Sequence, residues 1–338
     1  MSARLHFMDS DRQKGHELLT ARGHGASRSS ATSSGAVRGG SQAPALPQFA
    51  ELELIEDRQQ GVLWEYMAPC GRPSFTLRLL REMKAAQAYL RELTEYEGRC
   101  PFRYVVTASR MPGIFNLGGD LPRFVDLIRA GDRDGLLRYA RACIAVQWGR
   151  ASHLGLPIRT ISLVQGDALG GGFECALAGD VIIAERGATF ALPEILFGLF
   201  PGMGAYSFLT RRISPVAAER MLLSGRVYTA EEMHDLGLVD RLIEDGAGES
   251  GVYDHIHRER KTWSTQLALQ RVRQRVNPVS ESELQDITEL WVDTALTLGE
   301  AELRKMERLA HAQDRRFGSS RAAAEGDPNA ATGHPGGP

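Results

Sequence analysis

The sequence has few cysteines, no long apolar run and no signal-like start, and each absence excludes a class of protein. Its 338 residues contain four cysteines, with no CxxC pair and no Cys/His cluster of zinc-like spacing, so we expect reduced thiols and no metal site. No segment approaches the roughly 20 apolar residues that a membrane-spanning helix needs. The N-terminus lacks the apolar core of a secretory signal. We therefore predict a cytoplasmic protein without a membrane partner.

The chain also lacks an excess of charge of either sign. Lys and Arg total 40 against 42 Asp and Glu, which argues against nucleic acid as a partner. The 43% share of hydrophobic residues is ordinary for a globular protein. The length allows one large core domain with ragged ends or two small domains.

Composition divides the chain into four predicted regions. Residues 1–48 and 318–338 are rich in Gly, Ser, Ala or Pro, so we expect a disordered extension and a disordered tail that bury too little apolar surface to fold. Residues 49–250 alternate short apolar runs with helical patterns, which predicts an α/β core whose sheet is largely buried. Residues 251–317 form a predicted C-terminal helical region, since apolar positions there recur every three or four residues.

The most informative motif is QGDALGGGFE over residues 165–174. Three glycines, Gly170, Gly171 and Gly172, follow a predicted buried strand and precede a predicted helix. Glycine lets the backbone approach a ligand closely, and the unpaired N–H groups at a helix start suit a developing oxyanion. Glu174 lies in the first turn of that helix. Spacing alone fits a structural turn equally well, because neither GxGxxG nor the phosphate-loop GK[ST] is present.

Two further motifs carry candidate residues. Glu194 stands in the apolar stretch FALPEILFGLF, and a carboxyl in apolar surroundings tends to keep its proton. The alternative for Glu194 is a solvated side chain at a helix start after Pro193. The motif FNLGGD again places glycines between a strand and a helix, where N–H groups can complete an oxyanion hole. Its alternative is a plain turn with Asp120 as the helix cap.

Four motifs follow one another along the chain: FNLGGD, QGDALGGGFE, LPEILFGLFPGMGA and YTAEEMHDLGLVD. In this order they resemble the crotonase, or enoyl-CoA hydratase/isomerase, superfamily over residues 52–316. The resemblance implies a ββα spiral with a C-terminal helical region. It implies that Glu174 and Glu194 are the two catalytic carboxylates, and that the N–H of Gly171 and of Leu117 or Gly118 hold the thioester oxygen. It implies substrate contacts from the remainder of the two glycine motifs: Asn116, Gly119, Asp120, Gly170 and Gly172.

Within that superfamily the sequence is similar to the diffusible signal factor synthases, through FNLGGDLPRFVDLIRAGDRDGLLRYA and the C-terminal ITELWVDTALTLGEAELRKMERLAHAQDRR. These bacterial enzymes dehydrate a 3-hydroxyacyl thioester and hydrolyse the product to a cis-2-unsaturated fatty acid. The resemblance implies an acyl pocket lined by Met203, Trp291 and Leu309. It implies a substrate carried on acyl carrier protein or CoA, with no other cofactor. The receiver region of a sensor kinase is a further implied partner, and a homotrimer or hexamer is the implied assembly.

The predicted dehydration uses both carboxyl groups. Glu194 removes the Cα proton, while Glu174 protonates the departing 3-hydroxyl; the same pair then directs water at the thioester. One alternative is a general enoyl-CoA hydratase, which releases no free acid. Another is a regulatory protein that uses the same scaffold only to bind a kinase. The presence of both glutamates favours catalysis.

Overall fold

The computed structural model describes residues 43–324. Most of the predicted N-terminal extension lies outside these residues, and its last part, residues 43–48, has no regular secondary structure. No helix in the described part is both long and apolar enough to cross a membrane. All four cysteines are free thiols, and Cys143 and Cys175 are buried.

Ten strands, numbered along the described part of the chain, form two sheets. They are β1 Leu52–Asp57, β2 Val62–Met67, β3 Tyr104–Ser109, β4 Gly113–Asn116, β5 Arg159–Val164, β6 Gly166–Leu169, β7 Val181–Glu185, β8 Thr189–Ala191, β9 Val227–Thr229 and β10 Arg241–Ile243. The larger sheet has the order β1-β2-β3-β5-β7-β10, and the smaller has the order β4-β6-β8-β9. Among these strands, only the outer pairs β1–β2 and β8–β9 are antiparallel.

Eleven α-helices accompany the strands in the described residues. They are α1 Leu77–Glu97, α2 Leu121–Arg129, α3 Arg133–Ala151, α4 Gly171–Leu177, α5 Ala205–Leu209, α6 Pro215–Ser224, α7 Ala230–Asp235, α8 Gly248–Glu259, α9 Trp263–Val276, α10 Glu281–Ala295 and α11 Glu300–Ala324. Short 3₁₀ helices cover His153–Gly155, Pro193–Phe197 and Arg260–Thr262. Helix α7 begins with a reciprocal capping box between Thr229 and Glu232, and α10 begins at the N-cap Ser280.

The chain alternates between the two sheets in a repeating order. It passes from β3 to β4 and α2, from β5 to β6 and α4, and from β7 to β8 and the 3₁₀ helix Pro193–Phe197. Every residue of β3 and β5 is buried, as expected for parallel strands covered on both faces. This arrangement confirms the predicted α/β ββα spiral, and it brings the ends of β4, β6 and β8 together at one edge.

Two predicted boundaries differ from the structure. Helix α8 runs through the boundary predicted at residue 250, and its Val252 and Ile256 pack into the core of the larger sheet. Helix α11 continues to Ala324, so residues 318–324, predicted as tail, are helical. The Arg and Ala residues in this stretch have high helix propensity, which the compositional argument did not weigh. Residues 325–338 lie outside the described part.

Candidate active site

Two strand-to-helix turns meet at the edge of the smaller sheet. Strand β4 pairs with β6, so the turn before α2 lies beside the turn before α4. The contact is so close that a Cβ added to Gly118 would lie 2.8 Å from the Leu169 carbonyl oxygen and 3.1 Å from the Gly171 nitrogen. Gly118 also has a φ of +97°, which non-glycine residues rarely adopt. A glycine is therefore required where the two turns touch.

Each turn presents one unpaired backbone donor to the same cavity. At the start of α4 the Gly170 N–H donates to the Ala191 carbonyl (2.8 Å), and the helix begins with Glu174 N–H to Gly170 O (3.0 Å). Within residues 43–324 the Gly171 N–H has no acceptor, as expected for a first helical residue. In the other turn the donor left unpaired by the described residues is the N–H of Gly119, which lines the cavity with Gly171.

The prediction that Leu117 or Gly118 supplies the second oxyanion donor is therefore wrong. The Leu117 N–H donates to the Pro73 carbonyl at 2.7 Å, and the Gly118 N–H donates to Asn116 Oδ1 at 2.8 Å. Both groups are already paired and unavailable to a ligand. The sequence indicated that a donor follows β4, and Leu117 and Gly118 were the two candidates. The distant Pro73 carbonyl occupies the first N–H and the local Asn116 side chain occupies the second, which leaves the N–H of Gly119 free.

Glu174 is almost completely buried and is held by a neighbouring helix start. Its Oε1 accepts hydrogen bonds from the backbone N–H of Met203 (2.7 Å) and of Ala205 (2.9 Å). Burial raises the pKa of Glu174 to about 7, although both hydrogen bonds act in the opposite direction by stabilising the carboxylate. This carboxyl therefore exchanges its proton near neutral pH.

Glu194 lies in the 3₁₀ helix Pro193–Phe197 and faces the same cavity. The residue as a whole is partly exposed, but its Oε2 atom is buried and has no hydrogen-bond partner within the described residues. Because proton transfer takes place at the carboxyl oxygen and not at the rest of the side chain, burial of the Oε2 atom means that the carboxyl group is removed from water. Burial, and then the charge of Glu174, raise the pKa of Glu194 well above its ordinary value. Both carboxyl groups therefore keep their protons to higher pH than an exposed glutamate does.

The cavity between these groups has a volume of about 50 Å³, which exceeds the roughly 10–15 Å³ that one water needs. Its polar wall consists of the two glutamates and the two glycines that present free N–H groups. The remaining wall is mostly apolar and aromatic: Leu121, Phe124, Tyr139, Ala140, Cys143, Phe197, Met203 and Trp291. The site can therefore polarise an oxygen, move a proton and exclude bulk water.

The structure brings only part of the predicted site set to the cavity. Met203 and Trp291 line it with Glu174, Glu194, Gly119 and Gly171, whereas Leu309 does not and packs instead against the main core. Other predicted contacts build the turns rather than the cavity wall. Asn116 accepts from Gly118, Asp120 caps α2, and a Cβ on Gly172 would lie 2.0 Å from the Asn116 carbonyl oxygen.

Sequence reasoning missed the wall residues from α2 and α3. Leu121 and Phe124 are three residues apart, and Tyr139 and Cys143 are four apart, so each pair shares a helix face. That periodicity signals burial, but it does not reveal which buried face borders a cavity. Among residues 43–324 no three His, Cys, Asp or Glu side chains are grouped to hold a metal ion.

The chain is similar to curated proteins over part of its length. It is 37% identical over 137 residues to the mevalonyl-coenzyme A hydratase of Beauveria bassiana, covering 39% of this chain and 48% of that protein. It is 30% identical over 151 residues to the rat mitochondrial methylglutaconyl-CoA hydratase, covering 45% of this chain and 46% of that protein. Each match therefore spans less than half the length of the curated relative.

Solved structures match over more of the fold. An enoyl-CoA hydratase from Bacillus halodurans aligns with a TM-score of 0.63 at 21% identity, over 78% of this chain and 100% of that one. The human mitochondrial delta3-delta2-enoyl-CoA isomerase also has a TM-score of 0.63, at 18% identity, over 79% and 98% of the two chains. The enoyl-CoA hydratase/isomerase family model matches residues 69–315. The chain therefore belongs to the enoyl-CoA hydratase/isomerase family.

Proposed function

We propose that this protein adds and removes water at the Cα–Cβ bond of an acyl thioester. The observation that carries the proposal is the convergence of two carboxyl groups with raised pKa values and two unpaired backbone donors on one small cavity. A thioester oxygen that accepts from the N–H groups of Gly119 and Gly171 gains stabilisation as it becomes an enolate oxygen. The carboxyl pair supplies the acid and the base.

The pair supports both directions of the reaction, each of which begins with one carboxyl ionised and the other protonated. In hydration, ionised Glu174 takes a proton from water as the water oxygen bonds to Cβ, and protonated Glu194 gives its proton to Cα. Dehydration is the reverse: ionised Glu194 removes the Cα proton, and protonated Glu174 gives its proton to the leaving hydroxyl.

Within this reaction class, we propose that the substrate is a 3-hydroxyacyl thioester on acyl carrier protein or CoA, and that the product is a free cis-2-unsaturated acid. The support is the sequence resemblance to the signal synthases together with the apolar wall, since each buried CH₂ of an acyl chain gains about 0.8 kcal/mol. Release of the acid requires the pair to direct a second water at the thioester carbon.

A general enoyl-CoA hydratase is the second candidate. It is favoured by similarity to proteins named as CoA hydratases. The two candidates differ in their products. A hydratase converts trans-2-enoyl-CoA to 3-hydroxyacyl-CoA and leaves the thioester intact, whereas a signal synthase releases a free cis acid.

The test combines product analysis with three variants. Purified protein is incubated with trans-2-enoyl-CoA and, separately, with 3-hydroxyacyl carrier protein, and products are identified by mass spectrometry. Glu174→Gln and Glu194→Gln should each lose about 10²- to 10⁴-fold in rate, the usual contribution of a positioned acid or base. Glu185→Gln is the control, because Glu185 is also buried and accepts a backbone N–H, from Gly248 at 3.1 Å, but lies outside the cavity. Wild-type rates in either site variant would refute its assigned role.

A further inference from the structure

The turn that presents the Gly119 N–H is attached to the C-terminal helix by one buried hydrogen bond. The side-chain Nε2 of Gln313, in α11, donates to the Leu117 carbonyl oxygen at 3.0 Å. Gln313 is only 4% exposed, and the two residues are 196 positions apart in the sequence. No motif in either segment indicates this contact.

The other hydrogen bonds of this turn involve the neighbouring segment 73–75, the turn itself, and the Tyr139 hydroxyl, which accepts from the Asp120 N–H at 3.1 Å. Pro73 accepts from Leu117 N–H, Phe75 N–H donates to the Gly118 carbonyl at 2.8 Å, and Asn116 accepts from Gly118 N–H. With Gln313 added, all four backbone polar groups of Leu117 and Gly118 are paired. The next N–H along the chain, that of Gly119, is the one left to face the cavity.

We propose that Gln313 is a positioning residue that sets the direction of the Gly119 N–H. The Leu117–Gly118 peptide precedes two glycines, whose backbones rotate with little steric cost. Without a donor, the buried Leu117 carbonyl lacks a hydrogen-bond partner, which favours rotation of its peptide towards another donor. That rotation strains the Phe75 N–H bond to the Gly118 carbonyl, which shares one peptide plane with the Gly119 N–H. The inference rests on the proposed function, in which Gly119 polarises a thioester carbonyl.

The attachment of α11 does not depend on Gln313. One residue later, Asp314 accepts two hydrogen bonds from Arg72, at 2.7 and 2.6 Å. Leu303 and Met306 are buried on the same helix. Removing the Gln313 amide should therefore disturb the turn without displacing the helix.

The chain contains a closely matched control in Gln270. This side chain is 5% exposed, and its Nε2 also donates to a backbone carbonyl, that of Ile158, at 3.0 Å. Like Gln313, it has an Oε1 atom that is buried without a partner in the described residues. Gln270 lies on α9 and does not line the cavity.

The test compares Gln313→Met with Gln270→Met, since methionine keeps the side-chain length and removes the donor. Butyryl-CoA labelled with ¹³C at its carbonyl is bound to each protein, and the carbonyl stretching frequency is measured by infrared difference spectroscopy. We expect the wild type and Gln270→Met to lower this frequency equally relative to free butyryl-CoA. Gln313→Met should lower it less, and its hydration kcat should fall by roughly tenfold to a hundredfold with little change in KM, a part of the loss expected from removing a donor.

The possible failures are distinguishable. A wild-type frequency shift that Gln313→Met retains in full would overturn the positioning role, as would an equal loss in Gln270→Met. The absence of any shift in the wild type would instead overturn the proposed carbonyl site itself. Because the spectrum comes only from folded, liganded protein, a lower stability of the Met variant does not obscure the result.

Discussion

At Glu174, burial and hydrogen bonding act on the pKa in opposite directions. Removal from water disfavours the carboxylate, while the N–H groups of Met203 and Ala205 favour it. The buried Oε2 atom of Glu194 has no hydrogen-bond partner among the described residues, and burial and then the charge of Glu174 raise the pKa of Glu194 well above its ordinary value. Both acids therefore keep their protons to higher pH than an exposed glutamate does.

The raised pKa values predict that this pair destabilises the fold as the pH increases. Above the ordinary carboxyl pKa of 4.5, the unfolded chain loses protons that the folded protein retains, so the free energy of unfolding falls. For Glu174 the loss develops between pH 4.5 and about 7 and amounts to about 3 kcal/mol. The pKa of Glu194 is raised as well, so its ionisation adds to this decline. Urea unfolding at several pH values measures this slope.

The control for this prediction is the double variant Glu174→Gln/Glu194→Gln, which cannot ionise at either position. Its unfolding free energy should decline less between pH 5 and pH 8 than that of the wild type, and at pH 8 it should exceed the wild-type value. Parallel pH profiles for the two proteins would contradict the raised pKa values.

At the scale of single residues, the sequence indicated which side chains belong to the site, but it did not indicate which backbone N–H groups are already hydrogen-bonded. The apolar surroundings of Glu194 predicted a retained proton, and the position of Glu174 beside a glycine run predicted its place near a helix start. The assignment of an oxyanion donor to Leu117 or Gly118 failed because Pro73 and Asn116, which occupy those N–H groups, are identified only by the folded chain.

At the scale of elements, the site depends on the close contact between the turn before α2 and the turn before α4. We predict that Gly118→Ala lowers kcat/KM by about a hundredfold, because its Cβ would press on Leu169 O and Gly171 N and separate the two donors. Steady-state hydration kinetics measure the effect.

The variant Gly131→Ala distinguishes the effect of this close contact from the effect of backbone strain. Gly131 has a φ of +61°, but no described atom lies within 4 Å of the position that an alanine Cβ would occupy, so the variant carries the conformational cost alone. It should lose stability while keeping kcat/KM near the wild-type value. An equal loss of kcat/KM in both variants would show that the contact between the turns is not important.

Most strands of the larger sheet were predictable, whereas those of the smaller sheet were not. Strands β3 and β5 are rich in β-branched and apolar residues, which indicates buried strands. Strands β4 and β6 contain four residues each and begin with Gly113 and Gly166, so neither shows a strand pattern. The smaller sheet, which positions the two turns, forms through pairing between segments distant in the sequence.

At the scale of the whole molecule, α8 joins the C-terminal third to the core of the larger sheet. We predict that Ile256→Ala, beyond the boundary predicted at residue 250, destabilises the protein by about 2–5 kcal/mol in a single unfolding transition. Far-UV and near-UV circular dichroism should report the same midpoint. A separate early transition for the C-terminal helices would contradict a shared core.

Val276→Ala provides the surface comparison for that experiment. Val276 is 79% exposed on α9, so its replacement should change the unfolding free energy by no more than about 0.5 kcal/mol. A loss as large as that of Ile256→Ala would show that exposure in the single chain does not describe the protein in solution.

Both groups that would hold the thioester oxygen belong to the main chain, and this has a consequence for how the protein changes over generations. A codon change can replace either acid, but it cannot delete an amide hydrogen unless it introduces proline. Mutation can therefore exchange the proton-handling groups while the means of stabilising an enolate persists. A lineage with this architecture keeps the backbone groups that stabilise an enolate, while substitutions of the acids can change the reaction that follows.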